Sequence, residues 1–153
     1  RPTVERPLGS RLDRALGISA GRAICVCPLE TAADKLSALA WRVHDGRALR
    51  EPHTMRHLHD VHALAAVVSG APGRFADMVL ANLSRDVSRI QGGRGARKPI
   101  PRDLLGRLPL ALGNSAEYRR NYDRFARAFA FGAKPDFGVA LGSLQSMVAR
   151  VCR

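Results

Sequence analysis

Two segments of this 153-residue chain carry side chains that could act on a phosphate. Lys35 lies on the first, and the second begins with Arg56-His-Leu-His-Asp60. A lysine neutralises phosphate charge, and a carboxylate can help to hold a cation or activate an acceptor. Apolar packing does not require this combination, although a solvated lysine and a surface Arg56–Asp60 pair would show the same spacing. The two segments are therefore candidates for half of a chemical site.

Further cations and histidines accompany this pair. Arg42 lies two turns beyond Lys35 on the same predicted helix face. Four of the five histidines fall within ten residues, at positions 53, 57, 59 and 62. The pairs at spacing i,i+4 and i,i+3 could each share a metal, but they face different ways and form no H-E-x-x-H motif. We expect a proton or phosphate contact instead, with Arg42, Arg56 and His57 as the phosphate-binding candidates.

The elements that carry these residues are predicted to be helices. Helices are expected to begin near Thr31, Thr54, Gly73, Arg102, Ser115 and Asp136. Stops are expected at Gly46, Gly70 and Pro109. Residues 24–27 form a short apolar run that is typical of a buried strand. The expected fold is therefore mainly α: a helical bundle over 30–153, preceded by an α/β remnant over 1–29.

Composition favours a polyanionic partner. The chain has 25 Lys+Arg against 13 Asp+Glu, a net charge of +12, although an Arg-rich coding bias would give the same balance. One basic run is the best candidate for contacting a nucleic-acid backbone. Its members are Arg85, Arg89, Arg94, Arg97, Lys98 and Arg102. No apolar run reaches the roughly 20 residues of a membrane helix, so we expect a cytoplasmic protein that does not bind membranes.

Aromatic residues at helical spacing are expected in the core first and as a base-stacking platform second. They are Tyr118, Tyr122, Phe125 and Phe129. The three cysteines, Cys25, Cys27 and Cys152, form no disulfide or zinc framework and are expected to be buried thiols.

Residues 29–39 (LETAADKLSAL) and 56–64 (RHLHDVHAL) resemble the AbiEii/AbiGii toxin-type nucleotidyltransferase family. Members carry an E-x-x-A-x-K-x-x-A-L helix and then an R-D-x-x-D helix start. The resemblance implies transfer of a nucleotide from an NTP, with Mg²⁺, onto tRNA or another RNA or onto a protein. It also implies a role in toxin–antitoxin or phage-defence systems, with a possible antitoxin partner. Lys35 would then contact the triphosphate, Asp60 would be the later acidic residue of the site, and Arg56 would brace it.

The chain departs from the family pattern at two points. His57 stands where many members have the first Asp of R-D-x-x-D, and Gly9-Ser10 is followed by Asp13 without the paired D-x-D that binds metal. Asp60 is therefore the one possible metal ligand. We expect the chain to be the C-terminal part of such an enzyme and inactive alone. The alternatives are a standalone nucleic-acid-binding module and a non-catalytic protein-interaction remnant.

Overall fold

A computed structural model describes residues 27–88, 98–130 and 134–153. These residues form a bundle of helices and contain no β-strand, which confirms the mainly α prediction. The elements are α1 (Pro28–His44), α2 (Arg47–Arg50), a 3₁₀ turn (Pro52–Met55), α3 (Arg56–Ala63), α4 (Ala65–Gly70), α5 (Pro72–Ser88), α6 (Pro101–Gly113), α7 (Ala116–Phe129) and α8 (Phe137–Val151). The predicted strand lies outside the described residues except for Cys27, which precedes α1. The boundary between an α/β remnant over 1–29 and a helical domain over 30–153 stays a prediction.

Helix α1 lies at the centre of the bundle and contacts α3, α5 and α6. Pro28 begins it, where a missing N–H costs nothing and the fixed φ favours a helix. The predicted cap at Thr31 is wrong, because α1 begins three residues earlier and the Thr31 hydroxyl donates to the Cys27 carbonyl at 3.2 Å. Core residues cover a wide face of this helix, which fits its central place. They are Leu29, Ala32, Ala33, Leu36, Leu39 and Ala40.

The segment after α1 forms several short helical elements where the sequence predicts one helix. Gly46 follows the helix with φ of 73°, as expected for a glycine stop. The single helix predicted from Thr54 is instead a 3₁₀ turn, α3 and α4, with a break at Leu64 where φ is −96° and ψ is 3°. The apolar spacing predicts a stripe of Leu58, Val61, Ala65 and Val68 in this segment, and all of these except Ala65 are buried.

Helices α5 and α6 also differ from their predictions. The apolar spacing of the sequence predicts a stripe of Ala76, Leu80, Leu83, Val87 and Ile90 on this helix. The buried row on α5 is instead Phe75, Val79, Leu83 and Val87, which includes only two members of that stripe. Pro109 does not end α6, which continues to Gly113. Proline removes one backbone hydrogen bond inside a helix. Burial of leucines on both sides of Pro109 holds the helix together. They are Leu104, Leu105, Leu108 and Leu112.

The last two helices begin where the sequence predicts. The Ser115 hydroxyl accepts a hydrogen bond from the Tyr118 N–H at 3.3 Å. The Asp136 carboxylate accepts one from the Val139 N–H at 2.9 Å. Tyr122 is fully buried and its hydroxyl donates to the Pro135 carbonyl at 3.1 Å. These contacts fix α7 and α8 against the 3₁₀ turn and α3, the segments that carry the candidate site.

Candidate functional site

The two predicted catalytic side chains meet across the contact between α1 and α3. Lys35 Nζ lies 3.8 Å from Asp60 Oδ2. The side chains retain 23% and 36% of their exposure, so a ligand can reach both charges. An ion pair exposed to this degree contributes only about 0.2–1 kcal/mol to stability. A phosphate or a cation can therefore separate the two groups at low cost.

A second pair of side chains joins the same two helices, about two turns beyond Lys35 on α1. Arg42 Nη1 lies 3.0 Å from His57 Nε2. Arginine can only donate, so Nε2 accepts, and the proton of the neutral ring is on Nδ1. Nδ1 is buried and has no hydrogen-bond partner among the described residues. His57 thus holds the Arg42 guanidinium in place instead of lying open to a ligand.

Several basic side chains lie close enough to His57 to act on its pKa. Burial, followed by the charges of Lys35, Arg42, Arg56 and His53, lowers the pKa of His57 from 6.5 to about 4. Only 6% of the residue is exposed. Desolvation and nearby cations both oppose a charged imidazolium. The ring is therefore neutral at pH 7 within a basic cluster. We name Lys35, Arg42, Arg56, His57 and Asp60 the α1–α3 site.

Acidic residues only partly balance this charge. Glu51 Oε2 lies 3.8 Å from Arg42 Nε and 3.8 Å from His53 Nε2. Asp60 is paired with Lys35 and not with Arg56. Arg56 is exposed and forms no ion pair with any residue that the structure describes. The site therefore has three permanent cations beside two carboxylates, a balance that favours an anionic ligand.

A metal centre does not form within the described part of the chain. No group of three His, Cys, Asp or Glu side chains comes together there. His62 Nδ1 lies 2.8 Å from Ser143 Oγ, and the ring of His59 packs against Phe125. Asp60 could supply one carboxylate to Mg²⁺, which usually takes one or two together with substrate phosphates.

The predicted basic run is only partly described. Arg85 is exposed on α5, while Arg89, Arg94 and Arg97 lie outside the described residues. Lys98 Nζ donates to the Ser88 carbonyl at 3.2 Å. Arg102 Nη1 donates to the Val151 carbonyl at 3.1 Å. Each therefore satisfies a carbonyl at the C-terminal end of a helix. Their role in binding nucleic acid stays a prediction.

Sequence reasoning missed three features of this region. Glu51 was not singled out, because its contact with Arg42 depends on how the chain turns after α1. Phe129 was placed in the core but is 69% exposed. An arginine row on α7 was also overlooked, although its i, i+4, i+7 spacing is visible in the sequence. Its members are Arg120, Arg124 and Arg127.

Comparison with known proteins gives one match. The model of the family described as "Nucleotidyl transferase AbiEii toxin, Type IV TA system" matches residues 1–143, which include both segments of the α1–α3 site. No curated protein matches the chain, and no solved structure does. Among the described residues, no helix combines the length and apolar character needed to cross a membrane.

Proposed function

Because the chain belongs to the AbiEii family of nucleotidyl transferase toxins, we propose that its α1–α3 site binds the phosphates of a nucleoside triphosphate. The reaction would transfer the nucleotide, through the α-phosphate of the triphosphate, to an acceptor group of an RNA, such as tRNA, or of a protein, breaking the α–β phosphoanhydride bond and releasing pyrophosphate. The observation that carries the proposal is the meeting of Lys35 and Asp60 across two helices, 25 residues apart in sequence. A solvated surface lysine would not need a carboxylate partner on another helix.

Each member of the site has a distinct proposed role. The Lys35 ammonium neutralises charge on the triphosphate. His57 accepts a hydrogen bond from one N–H group of Arg42. The remaining N–H groups of the Arg42 guanidinium are directed at a phosphate. His57 is thus a positioning residue. Arg56, exposed at the start of α3, braces the same phosphates.

Asp60 is proposed to act on the metal or on the acceptor. Mg²⁺, when bound, would offset the charge of the phosphates. The Asp60 carboxylate would contribute one ligand to that cation or take up the proton of the acceptor group. Lys35 holds the Asp60 carboxylate in place until substrate binds, because the two side chains lie 3.8 Å apart.

The toxin–antitoxin context of the family implies one further partner. A cognate antitoxin is expected to oppose the activity in the same cell. We place the reaction in the cytoplasm, where nucleoside triphosphates and tRNA are available together.

Transfer itself is the test of this function. The native product, as the source cell makes it, is incubated with Mg²⁺, each α-labelled NTP in turn, and total RNA and protein of that cell. We expect label to enter one of the two acceptor classes, and Asp60→Asn to remove the transfer. Asp103→Asn, which alters an exposed aspartate on α6, is the matched control and should leave transfer unchanged. Transfer that survives Asp60→Asn would contradict the proposal.

A further inference from the structure

Arg42 has two partners, and only one of them can be replaced easily. Its Nη1 donates to Nε2 of His57 at 3.0 Å, which is within hydrogen-bond range, and His57 is buried. Its Nε lies 3.8 Å from Oε2 of Glu51, which is beyond hydrogen-bond range, and the Glu51 side chain is 39% exposed. The contact with Glu51 is therefore a Coulombic attraction, which an anion from solvent can replace without breaking a hydrogen bond.

The backbone of Glu51 is held between α2 and the 3₁₀ turn, whereas its side chain is free to rotate. The Glu51 N–H donates to the Arg47 carbonyl at 2.8 Å, and the Glu51 carbonyl accepts from the Thr54 N–H at 2.8 Å. The carboxylate oxygen that faces Arg42 also lies 3.8 Å from Nε2 of the exposed His53. A rotation of the side chain can therefore take the carboxylate towards His53 or solvent while the backbone stays in place.

Departure of the Glu51 carboxylate would uncover one edge of the Arg42 guanidinium. The Nε–H and one Nη2–H lie side by side on that edge, in the fork that two oxygens of one phosphate can accept. Neither nitrogen has another partner among the residues that the structure describes. His57 would keep the guanidinium in place, because its hydrogen bond to Nη1 lies outside this edge. Arg42 can therefore receive a phosphate at the place that the carboxylate occupies in the free protein.

The other permanent cation of α1 is held in the same way. Lys35 Nζ lies 3.8 Å from Asp60 Oδ2, and both side chains are partly exposed. Lys35 and Arg42 are seven residues apart, close to two turns, so they share one face of α1 at a separation of about 10 Å along the helix. A ligand must offer more negative charge than the two carboxylates in order to take both places, as a chain of linked phosphates does.

We propose that Glu51 is a competing anion at the α1–α3 site: it occupies the Arg42 guanidinium in the free protein and is displaced by the phosphates of the ligand. The inference rests on the proposed function, because it takes a triphosphate as that ligand. An anion of one charge gains nothing by exchanging with a carboxylate, whereas a polyphosphate does. Glu51 is therefore a specificity-determining residue and not a catalytic one.

The test measures binding of inorganic tripolyphosphate to the native product in the absence of Mg²⁺. Calorimetric titration compares wild type with Glu51→Gln, which keeps the shape of the side chain but removes its charge. A partly exposed ion pair corresponds to at most about 5-fold in an equilibrium constant, so we expect Glu51→Gln to raise the affinity by about 2- to 5-fold. Glu51→Ala should also raise it, because it removes the same carboxylate. A gain in affinity requires a folded site, so misfolding cannot imitate it.

Two controls separate competition at Arg42 from a change of net charge. Asp103→Asn removes the same charge on the opposite side of α1, where Asp103 lines a crevice with His44, two residues beyond Arg42. This variant should bind tripolyphosphate as wild type does. In an Arg42→Ala background, Glu51→Gln should no longer raise the affinity, because the cation for which Glu51 competes is absent.

Several results would overturn the competing role of Glu51. They are an unchanged or lower affinity in Glu51→Gln, an equal gain in Asp103→Asn, and a gain that persists in the Arg42→Ala background. If Lys35→Ala and Arg42→Ala lost affinity while Glu51→Gln gained none, the role of Glu51 alone would be refuted. If Lys35→Ala and Arg42→Ala both bound tripolyphosphate as tightly as wild type, the triphosphate site itself would be refuted.

Discussion

Acidification should destabilise the fold through His57. The ring accepts a hydrogen bond from Arg42 and has a pKa of about 4, against 6.5 for an ordinary histidine. Between these two values the unfolded chain binds a proton at this position and the folded chain does not. By linkage, stability therefore falls as the pH falls from about 6.5 towards 4, and none of this contribution is lost above pH 7.

The size of the effect follows from the two pKa values. Each pKa unit of difference corresponds to 1.36 kcal/mol, so the free energy of unfolding falls by about 3 kcal/mol once the His57 ring is fully protonated in the unfolded chain. About 2 kcal/mol of that decrease is reached by pH 5. That is a large share of the 5–15 kcal/mol by which domains are usually stable. The free energy of unfolding can be measured by urea denaturation at pH 7 and at pH 5.

His57→Gln isolates this contribution. Glutamine keeps a neutral acceptor for Arg42 but does not titrate, so the variant should lose about 2 kcal/mol less than wild type between pH 7 and pH 5. Other acid-sensitive groups cancel in that difference. His44→Gln, at an exposed histidine at the end of α1 that is not among the groups lowering the pKa of His57, is the matched control and should behave as wild type. Equal pH dependence of wild type and His57→Gln would refute the reasoning.

Two further predictions concern stability at neutral pH. Lys35→Ala should change the free energy of unfolding by less than about 1 kcal/mol, because its ion pair with Asp60 is partly exposed; urea denaturation checks this, and a larger loss would mean that Lys35 is mainly structural. Ser115→Ala should destabilise the protein by about 1 kcal/mol through loss of the α7 cap, whereas Ser146→Ala, at an exposed serine inside α8, should have little effect. Equal effects of the two serine substitutions would contradict the assigned cap.

Local signals were enough to place several helix boundaries. Gly46 stops α1 because only glycine readily takes its positive φ, and Ser115 and Asp136 begin their helices because each side chain caps a backbone N–H. These effects act within four residues, so the sequence shows them directly. Lys35 and Asp60 were singled out from their residue types as parts of one candidate site, and they do lie 3.8 Å apart, but their catalytic roles stay predictions.

What the sequence could not give depends on packing between distant residues. Pro109 remains inside α6 because buried leucines on either side offset the lost hydrogen bond. Phe129 fits the apolar stripe of α7 but is exposed, since the stripe does not reveal where the neighbouring core ends. The lowered pKa of His57 likewise requires burial of its ring, and Arg42 and three further basic groups that come together from two helices and a turn.

The most direct test of the central claim is binding of a nucleoside triphosphate to the α1–α3 site. Calorimetric titration with Mg²⁺ and each NTP compares wild type with Lys35→Ala and, as a control, Lys134→Ala at an exposed lysine before α8. A lost hydrogen bond to a charged group costs about 10- to 150-fold in affinity, and we predict a loss of this size for Lys35→Ala alone. Equal affinities of the two variants would contradict a phosphate site at Lys35.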